Sequence, residues 1–382
     1  LADLKITKEH RFLIKKYGIG TPEFKTVQEL TESKSRKHFQ IPSIKEKKES
    51  FLSESNKICL LDELKELNGE IWMTHPSREY RYKIRNKNIF NFKKIKTKKN
   101  KSYIWRVSKA SEISYDELES LRKEGWKIFG SVREQSNLTP LFYEKKSFLE
   151  FLGWFVSEGS IYTSHVKKYS TTKRGISSKI IISQSFKNQK YRNEIFKILE
   201  DLEIEIHPHS FKNKDISFSS DLLRFYLNKK CMKGARNKQV PSFILQESPT
   251  YIRYFFNSLY KGDGNKRDKR YNTSSKQLAD DVAKILVALG NVSIKIITEY
   301  SKKYGNFYRI FWSNYNKSVT KEYLTKEHYK GKVYCITTNN GTVFAGRNGN
   351  FTLTGQSAFG AFGNQYFRLY DNRITSSITY LV

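Results

Sequence analysis

Two acidic residues, Glu158 and Asp263, each close an apolar run that ends in a small residue, the acid and a glycine. The first run is Phe151-Leu-Gly-Trp-Phe-Val-Ser-Glu158-Gly159, the second Phe256-Asn-Ser-Leu-Tyr-Lys-Gly-Asp263-Gly264. Held side by side, two carboxylates repel unless a cation sits between them. Oxygen ligands suit a hard divalent ion, and Mg²⁺ is the expected cofactor. Such a pair suits phosphodiester hydrolysis.

The runs themselves explain how the acids would meet. Small residues recur four apart, Gly153 and Ser157 in the first, Ser258 and Gly262 in the second. On a helix this spacing leaves one face nearly bare over a turn. Two bare faces pack closer than the usual 8–10 Å between axes. Ser147 with Glu150 predicts a capping box for the first helix, and Ser248-Pro249 predicts the start of the second. The glycines predict the stops.

These motifs resemble the LAGLIDADG, or dodecapeptide, homing endonucleases, over residues 145–316. Gly234-Ala-Arg-Asn-Lys-Gln-Val-Pro241 resembles the link before the second motif. Asn272-Thr-Ser-Ser-Lys276 leads a predicted helix, Asp280 to Leu289, stopped by Gly290. The resemblance implies an α+β endonuclease of two αββαββα-like repeats, whose antiparallel sheets form a saddle over double-stranded DNA. It implies catalytic and metal-ligating roles for Glu158 and Asp263. It also implies a basic side chain near the cleavage centre, with Lys179, Lys295 and others left open. The stretch from Lys179 reads as a strand. Val292 to Tyr300 and Phe307 to Ser313 read as a hairpin turning at Gly305-Asn306. Such strands can lie in the major groove, which makes Lys179 and Arg309 expected DNA contacts. Glu158 stands where Asp is commoner, and Lys261 replaces a small or acidic residue.

The two ends carry a second resemblance, to intein splicing domains. Thr7-Lys-Glu-His10 followed by Phe12-Leu13 resembles block B. Lys332-Val-Tyr-Cys335 resembles block F, and Gly346 through Gly355-Gln356-Ser357 resembles block G. The implied architecture is an all-β Hint domain, 1–50 and 317–356, interrupted by the endonuclease. Residues 357–382 resemble the fingers helix of phage-type family B DNA polymerases, with Ser357 as its serine. By this resemblance Thr7 and His10 assist an acyl shift at the intein start, and Ser357 attacks as nucleophile. Gln356 then cyclises and cuts the 356/357 bond, while Cys335 supports proton transfer. Gln356 replaces the usual Asn, so a six-membered ring must form, and Gly355 stands where His is common. Block A and the first nucleophile are not in this sequence. The chain is therefore expected to be a fragment or half of a split intein, unable to splice without an N-terminal intein/extein piece.

Composition agrees with a DNA-handling protein. Of 382 residues, 70 are Lys or Arg and 38 Asp or Glu, a net +32, which points to a polyanionic partner. Residues 145–316 alone carry +16. Residues 78–109 hold 13 basic side chains and one acid, Glu79, among Tyr80, Tyr82, Phe90, Phe92, Tyr103 and Trp105. Basic groups neutralise phosphates and flat rings stack on bases, so 51–144 reads as a linker with a basic DNA-binding insert. Its candidate contacts are Arg78, Arg81, Lys83, Arg85, Lys93 and Lys94. The net-negative flanks, 51–77 and 110–144, read as helical pieces, for example Ser114 to Glu124 with Ser114 as N-cap. Three cysteines form no disulfide framework, and no apolar stretch reaches about 18 residues, so a cytoplasmic protein without a membrane-spanning helix is expected; a monomer is expected as well. The alternatives are a DNA-binding LAGLIDADG protein with an inactive nuclease, and a freestanding homing endonuclease.

Overall fold

The computed structural model describes residues 10–16, 21–32, 39–40, 55–77, 93–96, 103–132, 138–165, 176–265, 267–291, 293–302, 305–313, 318–319, 342–347 and 350–355. The chain divides into two compact units, Leu1–Ser50 with Gly264–Val382, and Phe51–Asp263. The division falls inside the span read above as one endonuclease module.

The terminal unit opens with β1 (Arg11–Lys16), β2 (Glu23–Thr26), α1 (Val27–Glu32) and β3 (Phe39–Gln40). β1 pairs antiparallel with β2, from Arg11 opposite Thr26 to Ile14 opposite Glu23. Alternation turns Phe12 and Ile14 inward, where they pack with Leu30 of α1. Thr26 and Glu29 cap α1 reciprocally: Thr26 N donates to Glu29 Oε2 (2.7 Å), and Glu29 N donates to Thr26 Oγ1 (3.1 Å).

The central unit begins with β4 (Lys57–Cys59), α2 (Leu61–Glu66), β5 (Glu70–Thr74), β6 (Lys93–Lys96) and β7 (Tyr103–Lys109). It continues with α3 (Tyr115–Lys123), β8 (Lys127–Ser131), β9 (Thr139–Pro140) and β10 (Phe142–Glu144). Five strands form one antiparallel sheet in the order β6-β7-β5-β8-β9. The flanks 51–77 and 110–144 do carry helical pieces, and they also carry strands that the sequence reading did not expect. Among the described residues there, α2 and α3 are the α-helices, with a 3₁₀ turn, Ala110–Glu112, just before α3. Ile71, Trp72 and Met73 are all buried because β5 lies mid-sheet, and a strand covered on both faces lacks the alternation that would betray it. Ser114 does cap α3, accepting from Glu117 N while Glu117 accepts from Ser114 N.

Next come α4 (Lys145–Glu158), β11 (Gly159–His165), β12 (Ile176–Ser183), α5 (Gln189–Asp201), β13 (Asp215–Phe218), α6 (Asp221–Cys231) and α7 (Pro249–Asp263). β11, β12 and β13 make an antiparallel sheet, with Ile180 and Ile182 on its buried face opposite Phe218 and Ile216. α4 is apolar nearly all round, as a helix enclosed by protein should be. Its start differs from the predicted capping box. Ser147 lies inside the first turn, buried, and the helix begins at Lys145. Tertiary partners set that start: Lys145 N donates to Asn56 O, and its ammonium pairs with Glu247 at 3.1 Å.

The terminal unit resumes with β14 (Gly264–Asn265), β15 (Arg270–Thr273), α8 (Lys276–Ala288), β16 (Ser293–Ser301) and β17 (Gly305–Ser313). β18 (Ser318–Val319), β19 (Thr342–Arg347) and β20 (Asn350–Gly355) follow. Six strands run β14-β15-β17-β16-β20-β19, and four run β18-β3-β1-β2. α8 begins four residues earlier than predicted, at a Ser275 N-cap that accepts from Leu278 N. Gly305 and Asn306 pair with Ser301 and Tyr300, so they lie in β17 and not at the hairpin turn. Among the described residues no helix is long and apolar enough to cross a membrane.

Candidate active site

α4 and α7 pack through the small-residue faces. A Cβ at Gly153 would collide with the Phe255 carbonyl oxygen and lie 2.9 Å from both Leu259 N and Ser258 Cβ. A Cβ at Gly262 would collide with the Ser157 side chain and lie 3.1 Å from Glu158 Cγ. The Glu158 side chain therefore rests against the backbone just before Asp263. Ser157 turns its hydroxyl back onto the Gly153 carbonyl at 3.1 Å, which satisfies that hydroxyl within its own helix. Both acids stand at the C-terminal end of their helices, Glu158 half-buried and Asp263 exposed. Burial pushes the Glu158 carboxyl up, and the Lys238 charge works against that shift.

Lys238 lies in the link before the second motif. It is buried, and its ammonium donates to Phe155 O (2.5 Å) and Gly159 O (2.6 Å), the carbonyls at the end of α4. Cations belong at a helix C-terminus, where carbonyls lack partners. Its ammonium also lies 4.5 Å from the Phe155 ring centroid. Burial lowers its pKa to about 8, against the opposing pull of Cys231, Asp263 and Glu158. Burial made Lys238 notable, and linear sequence does not print burial.

Among the described residues no group of three or more His, Cys, Asp or Glu side chains could hold a metal ion. The site offers two carboxylates, all oxygen, with the ionised form of one disfavoured by burial. That donor set fits a hard divalent ion which keeps much of its water, and such an ion would relieve the buried charge.

Other expected residues are dispersed. Lys179 lies on β12 opposite Tyr162, half-buried. Lys295 is exposed on β16. Arg309 on β17 pairs with Glu299 at 3.0 Å and lies 5.3 Å from the Phe307 ring centroid. Lys261 is not idle in the motif: it reaches Glu194 of α5 at 2.6 Å. Lys93 and Lys94 lie on β6, in register with Arg106 and Trp105. Arg78, Arg81, Lys83, Arg85, Thr7, Cys335, Gln356 and Ser357 lie outside the described residues. A cluster unseen in the sequence lines β13. His207 shares hydrogen bonds with Ser217 (3.2 Å) and Ser219 (3.1 Å), and Ser217 with His209 (2.9 Å). Burial and the Lys179 charge lower the His207 pKa.

His10, precedes β1 directly and is buried beside β20. It shares a 2.6 Å hydrogen bond with the Thr354 hydroxyl, across 344 residues of sequence. Phe12 meets its ring edge-on at 5.5 Å.

No family model and no curated protein matches the chain. Solved structures of the homing endonuclease I-DmoI are similar in part. A structure of its mesophilic variants is 18% identical, covering 44% of this chain and 89% of that one, with a TM-score of 0.31. Its complex with DNA and Mn gives 18%, 44%, 90% and 0.31, and a variant with target DNA and Mg gives 20%, 44%, 91% and 0.31. At that score the function rests on the site itself.

Proposed function

We propose that the chain carries intein splicing segments around an inserted module that is a site-specific, Mg²⁺-dependent double-strand DNA homing endonuclease. The observation that carries the nuclease is the α4–α7 seam, which presses Glu158 against the backbone before Asp263 with Lys238 buried at the same end. Bound there, a divalent ion would activate water and neutralise phosphate charge. Glu158 and Asp263 would hold it. The Lys238 ammonium favours ionisation of both carboxylates and fixes the end of α4 by its two carbonyl bonds. On this reading 145–316 is the endonuclease, and 51–144 supplies an accessory DNA surface on its five-stranded sheet. Residues 1–50 and 317–356 form the splicing domain, and 357–382 belong to the host polymerase.

The buried His10–Thr354 contact supports the splicing part, because it joins the residue before β1 to β20, the first and last strands among the described residues. A freestanding endonuclease has no need of it. The nuclease is tested with an intein-less polymerase gene on a plasmid, with Mg²⁺. The expected result is one double-strand cut, abolished in Glu158→Gln with DNA binding kept. Binding without cutting by the parent chain would leave a DNA-binding protein and overturn the nuclease.

A further inference from the structure

Two short 3₁₀ segments of the central unit, Phe186–Asn188 and Pro208–Phe211, are tied together by one arginine. Arg192 of α5 is 1% exposed, and its guanidinium donates to Gln184 O (2.9 Å), Lys214 O (3.1 Å) and Ser210 O (2.9 Å). Buried donors satisfied by carbonyls from both loops hold the loops in one geometry. The same guanidinium carbon lies 4.4 Å from the Phe186 ring centroid and 5.4 Å from that of Phe196. Phe196 in turn stacks on Phe211, with centroids 4.9 Å and planes 19° apart. The result is a column, Phe186–Arg192–Phe196–Phe211. Its inner members are buried or half-buried, while its end rings, Phe186 and Phe211, are 48% and 60% exposed. A single ring in water needs no explanation, but two held together by a built support form a patch.

The setting of the column is basic. Lys187, Lys190, Lys197, Lys212 and Lys214 are all exposed. Within 185–197 and 210–215 the acids are Glu194 and Asp215, and these already accept from Lys261 and Ser183. The column also belongs to the helix layer. α5 packs on α4 through Tyr191 and Trp154, and α4 meets the buried face of the β11–β13 sheet through Phe151 and Phe218. Lys179 and Ser217 lie on the opposite face of that sheet from Ile180, Ile182, Ile216 and Phe218. Open ring faces among cations suit a strand whose bases are unpaired, because in a duplex the base faces already stack on one another.

We propose that this column is a stacking platform for single-stranded DNA, separate from the sheet face that would meet the duplex. Bases stack on Phe186 and Phe211 while the flanking lysines neutralise the backbone. The end rings carry no polar atom to read a 2′-hydroxyl, which assigns the site to DNA. The inference stands apart from both the nuclease and the splicing readings.

A chain of net +32 binds any polyanion, so the test compares strands with and without bases. The full chain is titrated into a short fluorescein-labelled oligothymidylate, an abasic strand of the same length, an RNA oligomer and a duplex, read by anisotropy. The parent is expected to favour the oligothymidylate over the abasic strand about 10-fold or more, and Phe186→Leu with Phe211→Leu to abolish that preference. Phe211→Tyr keeps a ring and should keep the preference, and duplex affinity should not change in either variant. No preference in the parent, or an unchanged one in the double variant, overturns the proposal. Equal losses for the abasic strand or the duplex overturn it too, since stacking would then not be the source. Tighter ring-dependent binding of the RNA oligomer would move the site to RNA and overturn the assignment to DNA. If the double variant does not fold, the parent decides. Photocrosslinking to an iodouracil-bearing strand, mapped by mass spectrometry, should mark Phe186 or Phe211, and marks only elsewhere overturn the proposal.

Discussion

Neutral imidazole is the form of His10 that the fold selects. Its pKa falls from 6.5 to about 4 through burial and the neighbouring Arg11 charge. The unfolded chain takes a proton near 6.5, the folded one only near 4. Between those values the unfolded state binds more protons, so stability drops as pH falls through the window. The full window is worth about 3 kcal/mol. Urea unfolding at pH 7 and pH 4.5 should differ by a sizeable part of that, and by that much less in His10→Gln. An equal pH difference in both proteins would refute the assignment. Lys238 makes the matching argument for the nuclease. Its ammonium holds the two carbonyls that end α4, and deprotonation weakens that hold, so cutting should decline as pH rises through about 8. Lys238→Arg keeps its charge far above that, and its profile should lack the inflection. The acids were legible in the sequence because their runs repeat. Lys238 was not, because a lysine in a polar link looks solvated until the chain folds over it.

At the scale of elements, the seam makes a directional claim about two glycines. In an exposed helix, Gly→Ala stabilises by up to about 1 kcal/mol. At Gly153 the new methyl meets main chain, Phe255 O and Leu259 N, which cannot swing aside. Helix α7 must shift, at about 1–3 kcal/mol. At Gly262 the obstacle is chiefly the Ser157 side chain, which can rotate. Gly153→Ala should therefore lower the unfolding midpoint more than Gly262→Ala, measured in urea, and should also impair cutting. The reverse order would mean that the faces do not set the helix distance. These helices were readable because small residues four apart, a Ser-Pro start and a terminal glycine all agree. The sheet of β5, β7 and β8 was not. Its central strand is buried on both sides, its edge strand β6 is four residues long, and neither shows a period. The β16–β17 turn was misplaced for a related reason. Gly305 has a φ of 69°, which suits a turn, yet the ladder already begins there at Ser301.

For the whole molecule, charge is the property that composition foretold, and the fold refines where it can act. The net charge is +32, yet several cations are already committed. Arg106 of β7 pairs with Glu70 at 2.6 Å, Lys261 with Glu194 and Lys145 with Glu247. Counting basic residues therefore overstates the phosphate contacts available, and only the salt dependence of binding measures them. Each neutralised phosphate contributes about 0.9 to the slope of log K against log salt. If Arg78, Arg81, Lys83 and Arg85 all touch phosphates, replacing the four with Gln should reduce that slope by about 3 to 4. The loss should be alike for target and unrelated DNA, since phosphate contacts carry no sequence. The cut site should stay where it is, because Glu158, Asp263 and Lys238 are untouched. An unchanged slope would make the stretch a solvated face rather than a DNA arm. A slope change confined to target DNA would instead make these residues readers of bases.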